Sequence, residues 1–342
     1  MQQANILVIY SGGTIGMVED PDSLTLRPFD FEHLSEQVPE LNKLHCNIHC
    51  TTLGQAVDSS NMNPSIWQEI AKNIEKEYNN YDGFVILHGS DTMAYTASAL
   101  SFMFENLAKP VILTGSQLPI GVIRTDGKEN FLTAIEIASA RKTNGEPRVP
   151  EVAIYFEYKL FRGNRTHKYS AENFKAFHSP NYLPLAEAGV HIRFSETEIL
   201  PFPKGEFKVH YAFDCSLTVL FLFPGIAPEI LRSQLHNQQL RAVILYTYGA
   251  GNATTDDWFI DEIEQALKRG LIVLNITQCQ TGSVNQGRYE TSRKLRNLGV
   301  IGGNDLTIEA GISKLMSLMG RFSNNVEVSQ HMQTSICGEM TL

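Results

Sequence analysis

Three short segments of this 342-residue chain each place hydroxyls beside glycines directly after an apolar run. They are Tyr10-Ser11-Gly12-Gly13-Thr14-Ile15-Gly16, His88-Gly89-Ser90-Asp91-Thr92 and Thr114-Gly115-Ser116-Gln117. Adjacent glycines let a backbone approach a ligand closely and leave the Thr14 hydroxyl exposed instead of packed. In an open α/β sheet, such turns lie where strands end and helices begin, the place at which loop backbones and helix N-termini gather ligands. Each segment also has an ordinary reading. A Gly-rich turn after a first strand can be a tight turn or a phosphate cradle, and a Ser-Asp pair before a helix can be a cap. The spacing Gly12-Gly13-x-x-Gly16 lacks the residue between the first two glycines that a dinucleotide fingerprint requires, and no lysine follows as in a P-loop. Nucleotide binding is therefore disfavoured. A fourth segment, Lys159 to Lys168, holds the densest group of basic residues around a Gly-Asn turn and reads as a functional loop.

The elements that must position these turns follow from hydrophobic patterning. Short apolar runs at Ile6 to Tyr10, Phe84 to His88, Val111 to Thr114, Val152 to Phe156, Val219 to Phe223, Val243 to Tyr246 and Leu271 to Ile276 read as buried strands. Between them, Pro64 to Tyr78, Thr92 to Leu107, Glu129 to Ala140, Trp258 to Arg269 and Thr307 to Met319 carry the helical period. In the first of these helices Ile66, Ile70 and Ile74 stand four apart and Pro64 takes a favourable first-turn place. Strands alternating with helices predict parallel sheets covered on both faces. A polar stretch with Pro201, Pro203 and Gly205 divides the chain, giving a first domain over 1–194, a linker over 195–212 and a smaller α/β domain over 213–342.

A net charge of -9 gives no general attraction to polyanions, so no nucleic-acid partner is expected. The start Met1-Gln2-Gln3-Ala4 has neither a basic region nor a cleavage pattern, and the apolar stretch near Leu217 to Ala227 falls short of the roughly 18 to 20 residues of a bilayer span. Neither secretion nor a membrane partner is expected. Five widely spaced cysteines suit reduced thiols in the cytosol. His45-Cys46-Asn47-Ile48-His49-Cys50 contains four possible metal ligands, but no second ligand pair follows at finger-like spacing. Read as a strand, it points Cys46, Ile48 and Cys50 to one face and His45, Asn47 and His49 to the other. No metal and no cofactor are expected.

Taken together, the segments Ser11 to Gly16, Asp58 to Met62, Tyr81 to Leu107, Arg162 to Lys168, Tyr248 to Asn252, Thr277 to Cys279 and Gly299 to Gly303 resemble the bacterial-type L-asparaginases, specifically their cytoplasmic type I branch. The resemblance implies a two-domain fold, with a larger N-terminal α/β domain and a smaller Rossmann-like C-terminal one. It implies that Thr14 attacks the side-chain amide of asparagine and forms a β-aspartyl ester, which water then hydrolyses. Ser90, Lys168 and Asp91 match the family's Thr-Lys-Asp triad, with serine here in place of the usual threonine. A lysine between a hydroxyl and a carboxylate can relay protons when burial lowers its pKa. Asp91 would also meet the substrate's α-ammonium, Ser59 and Ser60 its α-carboxylate, and Asp58 would fix their turn. Gly13, Gly89 and Ser116 match pocket-lining residues, and Tyr289 resembles a tyrosine that approaches the nucleophile. Backbone N–H groups near Thr14 and Ser90 would meet the oxyanion.

The resemblance further implies a homodimer or homotetramer in the cytoplasm. Some type I members bind a second asparagine through an arginine where this chain has Tyr246, so loss of cooperative regulation is expected. Three other readings are set against this one. A non-catalytic amino-acid-binding module has no need for a buried lysine, and a nucleotide-binding protein would be stabilised by nucleotides and not by aspartate. An ammonia-supplying amidase component of a larger complex would carry a further domain before Met1.

Overall fold

The computed structural model describes residues 3–19, 26–28, 38–54, 56–287 and 290–342. The chain forms two compact units, Met1–Tyr211 and Ala212–Leu342.

The first unit is built on an eight-stranded sheet. In chain order its strands are β1 (Ala4–Tyr10), β2 (Cys46–Thr52), β3 (Gly83–Leu87), β4 (Val111–Thr114), β5 (Val152–Phe156), β6 (Lys159–Arg162), β7 (Ala186–Ala188) and β8 (Ile192–Phe194), arranged β8-β7-β6-β5-β4-β3-β1-β2. From β2 to β5 neighbouring strands are parallel, and β6, β7 and β8 then extend the sheet antiparallel. The sheet is therefore mixed, where the strand-helix alternation predicts a parallel one. The reason is local. Glu157 and Tyr158 adopt positive φ, so β5 turns straight back into β6 without a crossover helix. The edge strand β2 alternates half-buried Cys46, Ile48 and Cys50 with exposed Asn47 and His49.

Helix α1 (Pro64–Glu77) is capped by the Asn63 side chain, which accepts from the N–H groups of Ser65 and Ile66, with Pro64 in the first turn. It buries Trp67, Ile70, Ala71 and Ile74, a stripe at helical spacing. Helix α2 (Met93–Met103) is buried almost all round and ends where Phe104–Glu105 enters a short antiparallel pair with Lys208–Val209. Helix α3 (Gly127–Ser139) packs Phe131, Ala134, Ile135 and Ala138 into a core with Ile6, Val8, Val85, Leu87 and Ile112.

Residues 195–211, read above as part of a linker, are tied to this unit. Ile199 is buried, His210 N–H donates to the Met103 carbonyl (2.8 Å), and Gln68 Nε2 donates to the Tyr211 carbonyl (2.9 Å).

The second unit is a four-stranded parallel sheet of β9 (Leu217–Phe221), β10 (Ala242–Thr247), β11 (Ile272–Thr277) and β12 (Ile301–Gly302), in that order. Both faces are covered. Val243, Leu245 and Val273 pack with Leu231, Phe259 and Ile263 on one side, and Ile244, Leu274 and Ile276 with Leu315, Leu318 and Met332 on the other. No helix among the described residues is long and apolar enough to cross a membrane.

Candidate active site

Strand register brings the hydroxyl-bearing turns to one edge. Tyr10 pairs with Leu87 and with Thr52, and Leu87 pairs with Thr114, so the chain leaves four neighbouring parallel strands at the same carboxyl end. The exits are then stitched together. Ser11 donates its N–H (3.0 Å) and its hydroxyl (2.9 Å) to the Leu87 carbonyl, His88 N–H reaches the Thr114 carbonyl (2.9 Å), and Val57 N–H reaches the Ser11 carbonyl (2.9 Å).

Thr14 opens a one-turn 3-10 helix, Thr14–Gly16, behind two glycines at φ +130° and +91°. A Cβ on Gly12 would lie 2.0 Å from the Val57 carbonyl oxygen, and one on Gly13 would lie 2.4 Å from the Gly89 nitrogen. Only hydrogen fits at either place, so the Thr14 and Ser90 turns pack backbone against backbone. Beneath them the buried Tyr10 hydroxyl is shared between the carbonyls of Gly13 (3.3 Å) and Gly16 (3.2 Å), and burial pushes this phenol up to about 12. Thr14 itself is half-buried.

Gly89 also meets Ser59: a Cβ there would come within 2.6 Å of the Ser59 hydroxyl oxygen. Ser59 begins a short turn in which Asp58 Oδ1 accepts from the Ser60 N–H (2.9 Å) and hydroxyl (2.8 Å), and these bonds hold the Asp58 carboxyl below its usual range. Thr92 secures the same turn by donating to the Ser59 carbonyl (2.7 Å).

Lys168 arrives from the far side of the fold. Strand β6 runs into a 3-10 turn, Gly163–Arg165, whose Gly163 lies against Ala97 of α2, and then into His167–Lys168, paired with Phe177–His178. The root of this arm is held by the buried Arg162–Glu151 ion pair (2.6 Å). At its tip, Lys168 Nζ donates to Ser90 Oγ (2.8 Å) and Asp91 Oδ1 (2.6 Å). The lysine side chain is 13% exposed and that of Asp91 is 66% exposed, so the carboxylate keeps an open side for a further cation.

The structure thus joins Ser90, Asp91 and Lys168 directly, and Gly13, Gly89 and Ser59 by close contact. Ser116 is buried, but its hydroxyl donates to the Leu118 carbonyl (2.5 Å) within its own turn. Tyr289 lies outside the described residues. Tyr246 sits on β10 of the second unit, edge-on to Phe221 at 5.5 Å. A polar cavity of 440 Å³ in that unit, bordered by Gln286, Arg296 and Asn304, includes none of the expected site residues.

Sequence reasoning missed His88 as a support. It is fully buried, with Nδ1 2.6 Å from the Gly89 carbonyl and Nε2 2.9 Å from Thr96 Oγ1, which accepts from Trp67 Nε1 (3.0 Å). The carbonyl forces Nδ1 to be the donor, so Nε2 accepts the Thr96 hydroxyl and the ring is neutral. Burial depresses its pKa to about 4. Because a trans peptide sets C=O and N–H in opposite directions, fixing the Gly89 carbonyl aims the Ser90 N–H. The signal that could have found it is His88 preceding Gly89-Ser90-Asp91, with Thr96 in the first turn of the helix that follows.

A hydroxyl, an ammonium and a carboxylate in contact at the carboxyl edge of a parallel sheet form a candidate hydrolytic centre. Comparison with known proteins gives the same class. A family model described as Asparaginase, N-terminal matches residues 5–200, and one described as Glutaminase/Asparaginase C-terminal domain matches residues 217–332. The chain belongs to the asparaginase family of hydrolases. It is 44% identical to L-asparaginase 1 of Escherichia coli, over 100% of this chain and 99% of that one. The solved structure of L-asparaginase I from Vibrio cholerae superposes with a TM-score of 0.89 at 40% identity, covering 100% of both chains. The thermostable L-asparaginase from Thermococcus kodakarensis gives a TM-score of 0.89 at 30% identity, over 98% of this chain and 99% of that one.

Proposed function

We propose that this chain hydrolyses the side-chain amide of L-asparagine to L-aspartate and ammonia, with Thr14 as nucleophile. The Thr14 oxygen bonds to the amide carbon, the C–N bond breaks, and the nucleophile's proton travels through Ser90 and Lys168 to the departing nitrogen. Water then adds to the β-aspartyl ester and releases aspartate. Asp91 orients Lys168 and offers its open side to the substrate's α-ammonium, while Ser59 and Ser60, set by Asp58, take the α-carboxylate. The Ser90 N–H and a backbone N–H beside Thr14 receive the oxyanion. Gly13, Gly89 and Ser116 line the pocket, and Tyr289 approaches the nucleophile.

The observation that carries this reading is Lys168 Nζ at 2.8 Å from Ser90 and 2.6 Å from Asp91, on a turn in backbone contact with the one bearing Thr14. The test is ammonia release from asparagine by the purified protein beside a Thr14→Ala variant. Equal rates would sink the catalytic reading and leave a binding module. The active form is a homodimer or homotetramer of the cytoplasm, where its five free cysteines suit a reducing compartment. Light scattering gives the assembly state, and a monomer at full activity contradicts it.

A further inference from the structure

Ser90 poses a problem of orientation. Serine lacks the second heavy atom on Cβ that restricts χ1 in threonine, so its hydroxyl can swing among rotamers. An ammonium only donates, so Lys168 occupies a lone pair of Ser90 and leaves the serine's own hydrogen needing an acceptor. Among the described residues that acceptor is Gln117 Oε1, 3.4 Å away, a long contact for an O–H···O pair.

Gln117 is built to hold that oxygen in place. Its Nε2 donates to the carbonyls of Ala171 (3.2 Å) and Asn173 (3.0 Å), which uses both N–H bonds and leaves Oε1 as the end facing Ser90. Those carbonyls belong to the turn just after Lys168, where Ser170 Oγ accepts the Asn173 N–H (3.0 Å). The backbone of Gln117 is itself clamped: its N–H lies 3.1 and 3.0 Å from the two Asp126 carboxylate oxygens, and Leu118 N–H is 3.2 Å from the first of them.

We propose that Gln117 is a positioning residue whose amide ties the Lys168 turn to the Ser90 turn and holds the resting Ser90 hydroxyl in one rotamer; as Lys168 gives a proton to the departing nitrogen, Ser90 passes its own hydrogen to the neutral amine and takes the Thr14 proton. The proposal rests on the asparaginase chemistry above and deepens it. Gln117 acts through Ser90 and through the turn that follows Lys168, so its effect falls on turnover and not on substrate binding.

The test is steady-state kinetics on asparagine for Gln117→Leu and Gln117→Asn, each in the natural chain and in a Ser90→Thr background. In the natural chain both lower kcat about tenfold, the effect of one lost hydrogen bond, and leave KM within about twofold. In the Ser90→Thr background the loss shrinks to about threefold or less, because a β-branched side chain holds χ1 by itself. Gln117→Asn keeps the amide but is too short to span both turns, so the measurement stands if Gln117→Leu fails to fold. Equal losses in the two backgrounds, a change confined to KM, or an unchanged kcat overturns the proposal. Thr14→Ala separates the levels. Thr14-dependent activity that Gln117 variants leave intact rejects only the Gln117 role, whereas absence of Thr14-dependent activity overturns both.

Discussion

Replacing Gly13 with alanine tests the contact that brings the two hydroxyl-bearing turns together. The added Cβ would stand 2.4 Å from the Gly89 nitrogen, where ordinary van der Waals contact begins at 3.4 Å, and the atom it meets is backbone that cannot swing away. The turns must part by about 1 Å, and the residue must also hold φ +91° with ψ 166°, a region that costs a side-chain-bearing residue about 1–3 kcal/mol. A displacement of that size at reacting groups costs about a hundredfold in rate. The assay is ammonia release under saturating asparagine, with a urea melt on the same preparation. Gly13→Ala is expected to lose about two orders of magnitude in kcat while staying folded, with stability lower by about 1–3 kcal/mol. A folded variant with kcat within about threefold of the natural chain would refute the view that Thr14 and Ser90 must be held at this spacing.

Other outcomes follow from the same geometry. His88 is neutral in the fold with a pKa near 4 against 6.5 for a free histidine, so the unfolded chain binds the extra proton as pH falls below 6.5. Stability from this group is complete above 6.5 and is lost toward 4, about 2 kcal/mol between pH 7 and pH 5; a His88→Gln variant should show a shallower decline in urea melts across that window. The same variant should lose about three- to tenfold in kcat with KM retained, because the Ser90 N–H loses its aim. In the second unit Lys314 and Glu339 form a fully buried ion pair at 2.6 Å, with Glu339 also accepting the N–H groups of Ile336 and Cys337. Lys314→Met should therefore cost about 3–5 kcal/mol in a urea melt, and a loss under about 1 kcal/mol would contradict the assignment. Glutamine should be hydrolysed with kcat/KM about a hundredfold lower than asparagine, since one more methylene shifts its carbonyl from Thr14.

The signals legible in the sequence were local ones. Apolar runs ending in Gly12-Gly13-Thr14 and Gly89-Ser90-Asp91 marked strand exits, and Asn63-Pro64 marked a capped helix start. What set these turns side by side was pairing register, Tyr10 against Leu87 and Leu87 against Thr114, which no single segment encodes. The antiparallel strands were hidden for a different reason. Ala186–Ala188 and Ile192–Phe194 are only three residues long, too short for alternation to stand out, and Lys159–Arg162 carries charge at both ends. The Pro- and Gly-rich stretch before Tyr211 has the composition of a linker, yet its hydrogen bonds go to Met103 and Gln68 more than a hundred positions away. Supports such as His88 and Gln117 escaped notice similarly. Each acts through a partner that only folding supplies: Thr96 and Trp67 for one, Ala171 and Asn173 for the other.

The identity of the nucleophile can be read directly by acid-quenching the enzyme during turnover of asparagine and mapping its peptides by mass spectrometry. An aspartyl group esterified to Thr14, absent from a Thr14→Ala sample, is the expected result. An aspartyl group on Ser90 or another side chain, with Thr14 unmodified throughout turnover, would contradict it.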